Sequence, residues 1–233
     1  MSRKGTYAKG LAKQEEILDA ALSITAQKGF RETSIQDIAN AVSLSQPGVL
    51  HHFQSRDNLF LEVLRRHDQR LLDLYPTQPD LQAVDPVDPV DPVDPVDPAN
   101  LVEHKAPNLE FFDFAQGLAE VMRLNANTPG FVEIFSNMSI AAADPAHAAH
   151  SFFIERREIV RNEYAKYLAH MQEHGSLVAS VDVKMLAVGL HALADGLQLL
   201  WLNEPELDMG DVVVRLMGLL NPLSLENATS GKQ

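Results

Sequence analysis

Apolar residues recur at three- and four-residue spacing along most of this chain, and the points where that rhythm stops mark the ends of helices. Over residues 9–28, Ile17, Leu18, Ala21, Leu22 and Thr25 share one stripe, and Gly29 supplies the stop. A short helix follows with Ile35, Ile38, Ala39 and Val42 as its apolar face. Thr33 or Ser34 can cap it, and Gln36 or Asp37 three residues on completes a capping box. Leu59, Phe60, Val63 and Leu64 are the inner face of a helix that Ser55 opens and that runs over 55–74. Further periodic stretches predict helices over 108–125, 128–143, 144–174, 182–203 and 208–220. Two of these begin with a cap followed by proline, at Thr128 and Asp144, the order preferred in a first helical turn. No convincing run alternates with a period of two, so the expected class is all-α.

One stretch breaks the helical pattern. From Val84 to Pro98 the triplet Val-Asp-Pro repeats in register. Proline at every third position forbids helix and interior strand, and a period of three matches polyproline II, about 45 Å long when fully extended. This is a stiff spacer, a docking segment, or an expansion tolerated in a surface loop. It divides the chain into a smaller helical unit over 1–55 with its connecting helix 55–74, a Pro/Asp/Val-rich linker over 76–107, and a larger helical unit over 108–233.

The segment SLSQPGVLHHFQSRDNLF, residues 43–60, carries two helix starts in a very short span. Ser45 caps a helix of about two turns, with Pro47 and Gly48 in its first turn, and Ser55 caps the next. A short capped helix one tight turn after another short helix is the helix-turn-helix layout, whose second helix enters the major groove by its N-terminal end. In that frame Gln46 can pair with a base edge and Pro47 can meet a thymine methyl, while Gly48 admits close backbone approach. His51, His52 and Arg56 would position phosphates, and Phe53 belongs to the core. Net charge is −13, but its distribution leaves room for DNA: residues 1–75 carry 10 basic against 9 acidic groups, and the first four charges, Arg3, Lys4, Lys9 and Lys13, are all basic.

From Ile17 to Leu64 the pattern, including "GF..TS", "IA" and "S.PG.LHHF.S...L", resembles the DNA-binding region of the TetR family of bacterial transcriptional repressors. The resemblance implies an all-helical homodimer. Its first three helices would bind a palindromic operator, and its later helices would hold a small-molecule pocket. Carried over position by position, the DNA-binding set is Lys4, Thr33, Ser34, Gln36, Ser45, Gln46, Pro47, Gly48, Leu50, His51, His52 and Arg56. Two positions depart from the family pattern. Ser43 stands where glycine is usual, which strains the turn if positive φ is needed there. Leu50 stands where tyrosine commonly contacts DNA, which shifts that work towards His51.

The second unit supplies candidates for an effector site: Phe111, Phe114, Met122, Phe135, Asn137, Met138, Phe153, Arg156, His170 and His191. Aromatics with a few polar groups among them suit a ligand with a sizeable apolar part and one polar or anionic end. Residues 191–220 are similar to the C-terminal helix pair through which family members dimerise, and Leu193, Leu197, Leu200, Trp201, Val213, Leu216 and Leu220 are the expected contacts. Asp144, His147 and His150 form a thin metal signal, so no metal and no cofactor are assigned.

Other classes have little support. The chain has no cysteine, no phosphate-cradling glycine loop, no nucleophile elbow and no zinc-protease histidine pair, so it is not read as an enzyme. No apolar signal core or run of transmembrane length is apparent, so a cytoplasmic protein with no membrane partner is expected. The reading is a ligand-responsive repressor in which an effector shifts helix 55–74 and spoils the spacing of the two recognition helices. The alternatives are a helical ligand-binding or scaffold dimer that no longer reads DNA, and a metal-responsive regulator.

Overall fold

The computed structural model describes the backbone over residues 3–74 and 109–221, with side chains over 9–73 and 114–221. The Val-Asp-Pro repeat, and with it the role expected of it, lies outside the described residues. The described elements are α1 (Arg3–Lys28), α2 (Ile35–Ala41), α3 (Gln46–Phe53), α4 (Arg56–Leu74), α5 (Leu109–Ala126), α6 (Phe131–Ala141), α7 (His150–Glu173), α8 (Val183–Trp201) and α9 (Met209–Gly218), with no strand among them.

Local signals set the ends of the first four helices. The Ser34 side chain accepts from the Asp37 N–H while the Asp37 carboxylate takes the Ser34 N–H, a complete capping box for α2. Ser45 Oγ accepts from the Gly48 N–H at 3.2 Å, and Ser55 Oγ from the Asn58 N–H at 3.1 Å, as expected for α3 and α4. The expected apolar faces are also the buried ones: Ile17, Ala21, Ile38, Ala39, Leu59 and Phe60 are fully enclosed. Each large aliphatic or aromatic side chain so buried contributes about 1.5–3 kcal/mol, which makes this contiguous cluster the main stabiliser of the N-terminal helices.

Two predicted helix starts are corrected. The expected helix 128–143 begins only at Phe131, because Thr128 Oγ1 turns back to donate to the Leu124 carbonyl at 2.8 Å and left-handed Gly130 precedes the first turn. The expected helix 144–174 begins at His150: Asp144 Oδ1 accepts from the Ala146 N–H at 2.9 Å, closing a local turn in place of a helix cap. α8 corrects the expectation about membrane length. Its 19 residues, with a mean hydropathy of 1.3, are long and apolar enough to cross a bilayer. It packs instead on α6, α7 and α9, with Ala187, Leu190, Ala194 and Leu197 inside.

Two cores result. One joins α1–α4 to α6 and Phe153 of α7; the other joins α5, α7, α8 and α9, and Trp201 packs against both. Helix α6 thus shares a core with the N-terminal helices although it lies far from them in sequence. Its entry needs glycine: at Gly130, with φ +76°, a Cβ would lie 2.5 Å from the Leu22 carbonyl oxygen.

Candidate nucleic-acid interface

Helix α3 is anchored from below by Val49 and Phe53, both buried, so its first turn projects outward. Gln46, Pro47 and His51 are exposed, and Gly48 and His52 are half-buried. A Cβ at Gly48 would meet nothing closer than 3.4 Å, so packing within the chain does not itself require glycine there. The turn before α3 closes by a bond from the Leu44 N–H to the Ala39 carbonyl at 2.9 Å, with Ser43 at φ +54°. Ser43 therefore does adopt the left-handed conformation that glycine accommodates more easily.

Several expected DNA contacts are committed elsewhere. Thr33 is buried, and its hydroxyl donates to the Gly29 carbonyl at 2.8 Å. Arg56 points inward: Nε donates to the Thr33 carbonyl at 3.0 Å, Nη2 donates to the Phe30 carbonyl, and the guanidinium lies 4.3 and 4.7 Å from the Phe30 and Phe60 ring centroids. Arg56 thus clamps the α1–α2 loop, held by two carbonyls and two ring faces. Leu50 is half-buried and packs on the first core. The hydroxyls of Ser34 and Ser45 are used in capping, and exposed Gln36 donates to Asn40 Oδ1 at 2.8 Å. The side chain of Lys4 lies outside the described residues. What remains outward on α3 is Gln46, Pro47 and His51, with His52 at the edge.

Residues 17–63 match the family described as bacterial regulatory proteins, tetR family. The N-terminal domain belongs to the TetR family. The chain is 36% identical over 53 residues to the HTH-type transcriptional repressor KstR2 of Rhodococcus jostii, an alignment covering 23% of this chain and 26% of that protein. The chain thus matches only about a quarter of the length of such relatives. Beyond that region the likeness is one of fold. A TetR transcription regulator from Haloarcula marismortui superposes with a TM-score of 0.63 at 15% identity, over 90% of this chain and 96% of that one. The regulator FadR from Bacillus subtilis, solved in complex with stearoyl-CoA, gives 0.61 at 13% identity, over 89% and 97%.

In this TetR-type fold the expected effector residues fall into separate settings. Met122 lies in the second core, Phe135, Met138 and Phe153 lie in the first, and the side chain of Phe111 is outside the described residues. Phe114 packs edge-on to Tyr164 at 5.7 Å. Asn137 is spent locally, donating to the Glu133 carbonyl at 2.9 Å, and the His170 ring lies 4.1 Å from that of His174. Arg156 and His191 stand apart from these as charged or titratable groups between helices. Arg156 Nε donates to both carboxylate oxygens of Asp68 on α4, at 3.1 and 2.9 Å, and its guanidinium lies over the Phe135 ring. His191 is 5% exposed, and its Nδ1 has no partner among the described residues.

Of the expected dimer contacts, Leu197 and Val213 are buried in the chain's own second core. Leu193, Trp201 and Leu220 are partly buried against it, while Leu200 and Leu216 are exposed. The three residues of the thin metal signal have local partners. His150 Nδ1 lies 2.8 Å from the Ala142 carbonyl, His147 Nδ1 accepts from the Ala149 N–H, and Asp144 is engaged in its turn. Among the described residues no group of three or more His, Cys, Asp or Glu is placed to hold a metal ion.

Sequence reasoning missed the groups that join the two parts of the molecule. His67 on α4 stacks on Phe131 at 3.6 Å and donates through Nε2–H to Asn125 Oδ1 at 2.8 Å; Asn125 Nδ2 in turn donates to Gln198 Oε1 at 3.4 Å. All three polar residues are buried, so one polar chain links α4, α5 and α8. Glu133 on α6 accepts the Phe30 N–H. No spacing in the sequence points to either pair, because the partners lie 58 and 103 positions apart.

Proposed function

We propose that this protein is a ligand-responsive transcriptional repressor that binds a palindromic operator as a homodimer. The observation that carries the reading is the outward first turn of α3, which presents Gln46, Pro47 and His51 from a capped helix fixed by buried Val49 and Phe53. Gln46 reads a base edge, and His51 and His52 approach the backbone. The second subunit fits the apolar residues left exposed on α8, on α9 and at the α9 C-cap: Met185, Val188, Leu199, Leu200, Leu216 and Leu219. An effector with a sizeable apolar part acts from α5–α8 on α4, and the stearoyl-CoA complex of a protein of similar fold is in keeping with such a ligand. The protein acts in the cytoplasm, where operator DNA lies.

The deciding experiment is selection of binding sites from random duplex DNA at fixed salt, with Gln46→Ala alongside. The expected result is a palindromic consensus that relaxes at one position per half-site in the variant. Absence of any enrichment at low salt would leave a helical ligand-binding dimer without DNA-reading activity.

A further inference from the structure

Arg156 makes all its hydrogen bonds to the described residues through Nε, which leaves the two terminal nitrogens of a rigid five-donor fork uncommitted there. His191, on the neighbouring helix, has a buried Nδ1 with no partner, and buried polar atoms without partners are rare enough to need an explanation. Its other nitrogen, Nε2, lies 3.6 Å from Asp195 Oδ2, an attraction that favours the ring proton on that side and a lone pair at Nδ1. Burial holds the His191 pKa below its usual value, and Arg156, Arg161 and Arg157 press it lower against the pull of Asp195. The neutral ring therefore stands among cations with one nitrogen open. On its apolar side Arg156 lies over the Phe135 ring, 5.1 Å from its centroid.

We propose that Arg156 and His191 take the carboxylate of an amphipathic monocarboxylic acid, and that this carboxylate competes with Asp68 for Arg156. The inference rests on the ligand-responsive reading above and deepens it. A carboxylate is planar, matches the terminal nitrogens of the guanidinium, and favours a proton on Nδ1, giving that nitrogen the partner it lacks. The competition carries the signal. Asp68 sits on α4, so an anion that draws Arg156 away from it loosens the tie between α7 and the helix that follows the recognition helix.

The test is calorimetric binding of straight-chain carboxylates of eight to sixteen carbons to the full chain, with dodecanol as the neutral counterpart of dodecanoate. Dodecanoate is expected to bind at least tenfold tighter than dodecanol, and Arg156→Gln and His191→Gln each to remove most of that difference. Titration in phosphate and in Tris at pH 7.5 is expected to show proton uptake in the parent protein and none in His191→Gln. Asp68→Asn separates recognition from mere support: it breaks the same ion pair as Arg156→Gln, yet by removing the competitor it is expected to tighten dodecanoate binding severalfold. Equal binding of acid and alcohol, no binding of any acid in the series, or weaker binding by Asp68→Asn would each overturn the proposal. All are read on the protein without DNA, so a failed operator selection leaves their meaning intact.

Discussion

The backbone N–H of Phe30 donates to Glu133 Oε1 across 2.7 Å, joining the loop after α1 to the first turn of α6. The same residue is held from the other side by Arg56, whose guanidinium donates to the Phe30 carbonyl and lies over its ring. Phe30 is therefore gripped at both peptide groups, once from α6 and once from α4. The carboxylate also comes within 3.2 Å of the position a Cβ would take at Gly29, where φ is +87°, so a side chain there would meet both backbone strain and Glu133.

Removing that acceptor leaves a part-buried N–H without a partner, and a lost bond of this kind costs about 1–3 kcal/mol. Glu133→Ala is accordingly expected to lower the urea midpoint by that equivalent, and Glu133→Gln, which keeps an acceptor oxygen, by less. Equal losses in the two variants, or none, would show that the bond contributes nothing to joining the loop to α6.

Backbone conformation separates two further positions. Ser43 adopts φ +54° with its side chain exposed, so Ser43→Gly relieves left-handed strain while adding freedom to the unfolded chain. The balance is expected to be a small stabilisation, about 0.5 kcal/mol. Gly130→Ala acts the other way, because the added Cβ meets the Leu22 carbonyl at 2.5 Å in a left-handed residue, and a loss of about 2–4 kcal/mol is expected. Thermal unfolding of both variants beside the parent checks the opposite signs.

Arg56 offers a direct contest between two roles. A phosphate contact would be lost as a reduced slope of log affinity against log salt, by about one unit per contact. The inward clamp predicts instead that Arg56→Met lowers stability, by stripping the Phe30 and Thr33 carbonyls of their charged donor, with the salt slope unchanged. His51→Ala is expected to do the reverse, with the fold intact and operator affinity weakened. Salt titrations of DNA binding, paired with unfolding curves, distinguish the two.

The contrast shows which parts of the molecule were legible in sequence. Ser34, Ser45 and Ser55 could be read as caps because a cap and its partner lie three residues apart, and Ile38 or Leu59 could be read as core because helical spacing is local. Arg56 could not, since a basic residue at the start of a helix beside a recognition helix looks the same whether it turns out to phosphate or in to a carbonyl 26 residues earlier. Thr128 and Asp144 misled for a related reason: the side chains that cap helices are those that close turns and bond back to the preceding turn. In α8 the periodicity marked Leu197 and Leu200 alike, and only packing shows that the first is inside and the second outside. His67, Asn125 and Gln198 carry no local signal, because a polar residue on an apolar face announces burial only once its partner is known.

His67 sets an expected pH dependence. Burial is the largest effect on its pKa and lowers it below the usual 6.5; Arg156 and Arg70 act in the same direction, while the bond to Asn125 and the charge of Asp68 oppose them. The unfolded chain therefore binds a proton at this site at a higher pH than the folded one does. Stability from the neutral ring is fully present above about pH 6.5 and is lost as pH falls towards the folded value. His191 shifts in the same direction, again with burial as the main cause, so the two sites add. Urea unfolding at pH 7.5 and pH 5 is expected to show a loss for the parent that is reduced in His67→Gln, which keeps a donor for Asn125 but does not titrate, and reduced further when His191→Gln is combined with it. Because His67 lies on α4 and its partners on α5 and α8, the acid-induced loss should appear first at the contact between the DNA-binding helices and the rest, seen as earlier exchange of α4 amides than of α1 amides. An identical pH profile for the parent and the double variant would place the acid sensitivity elsewhere.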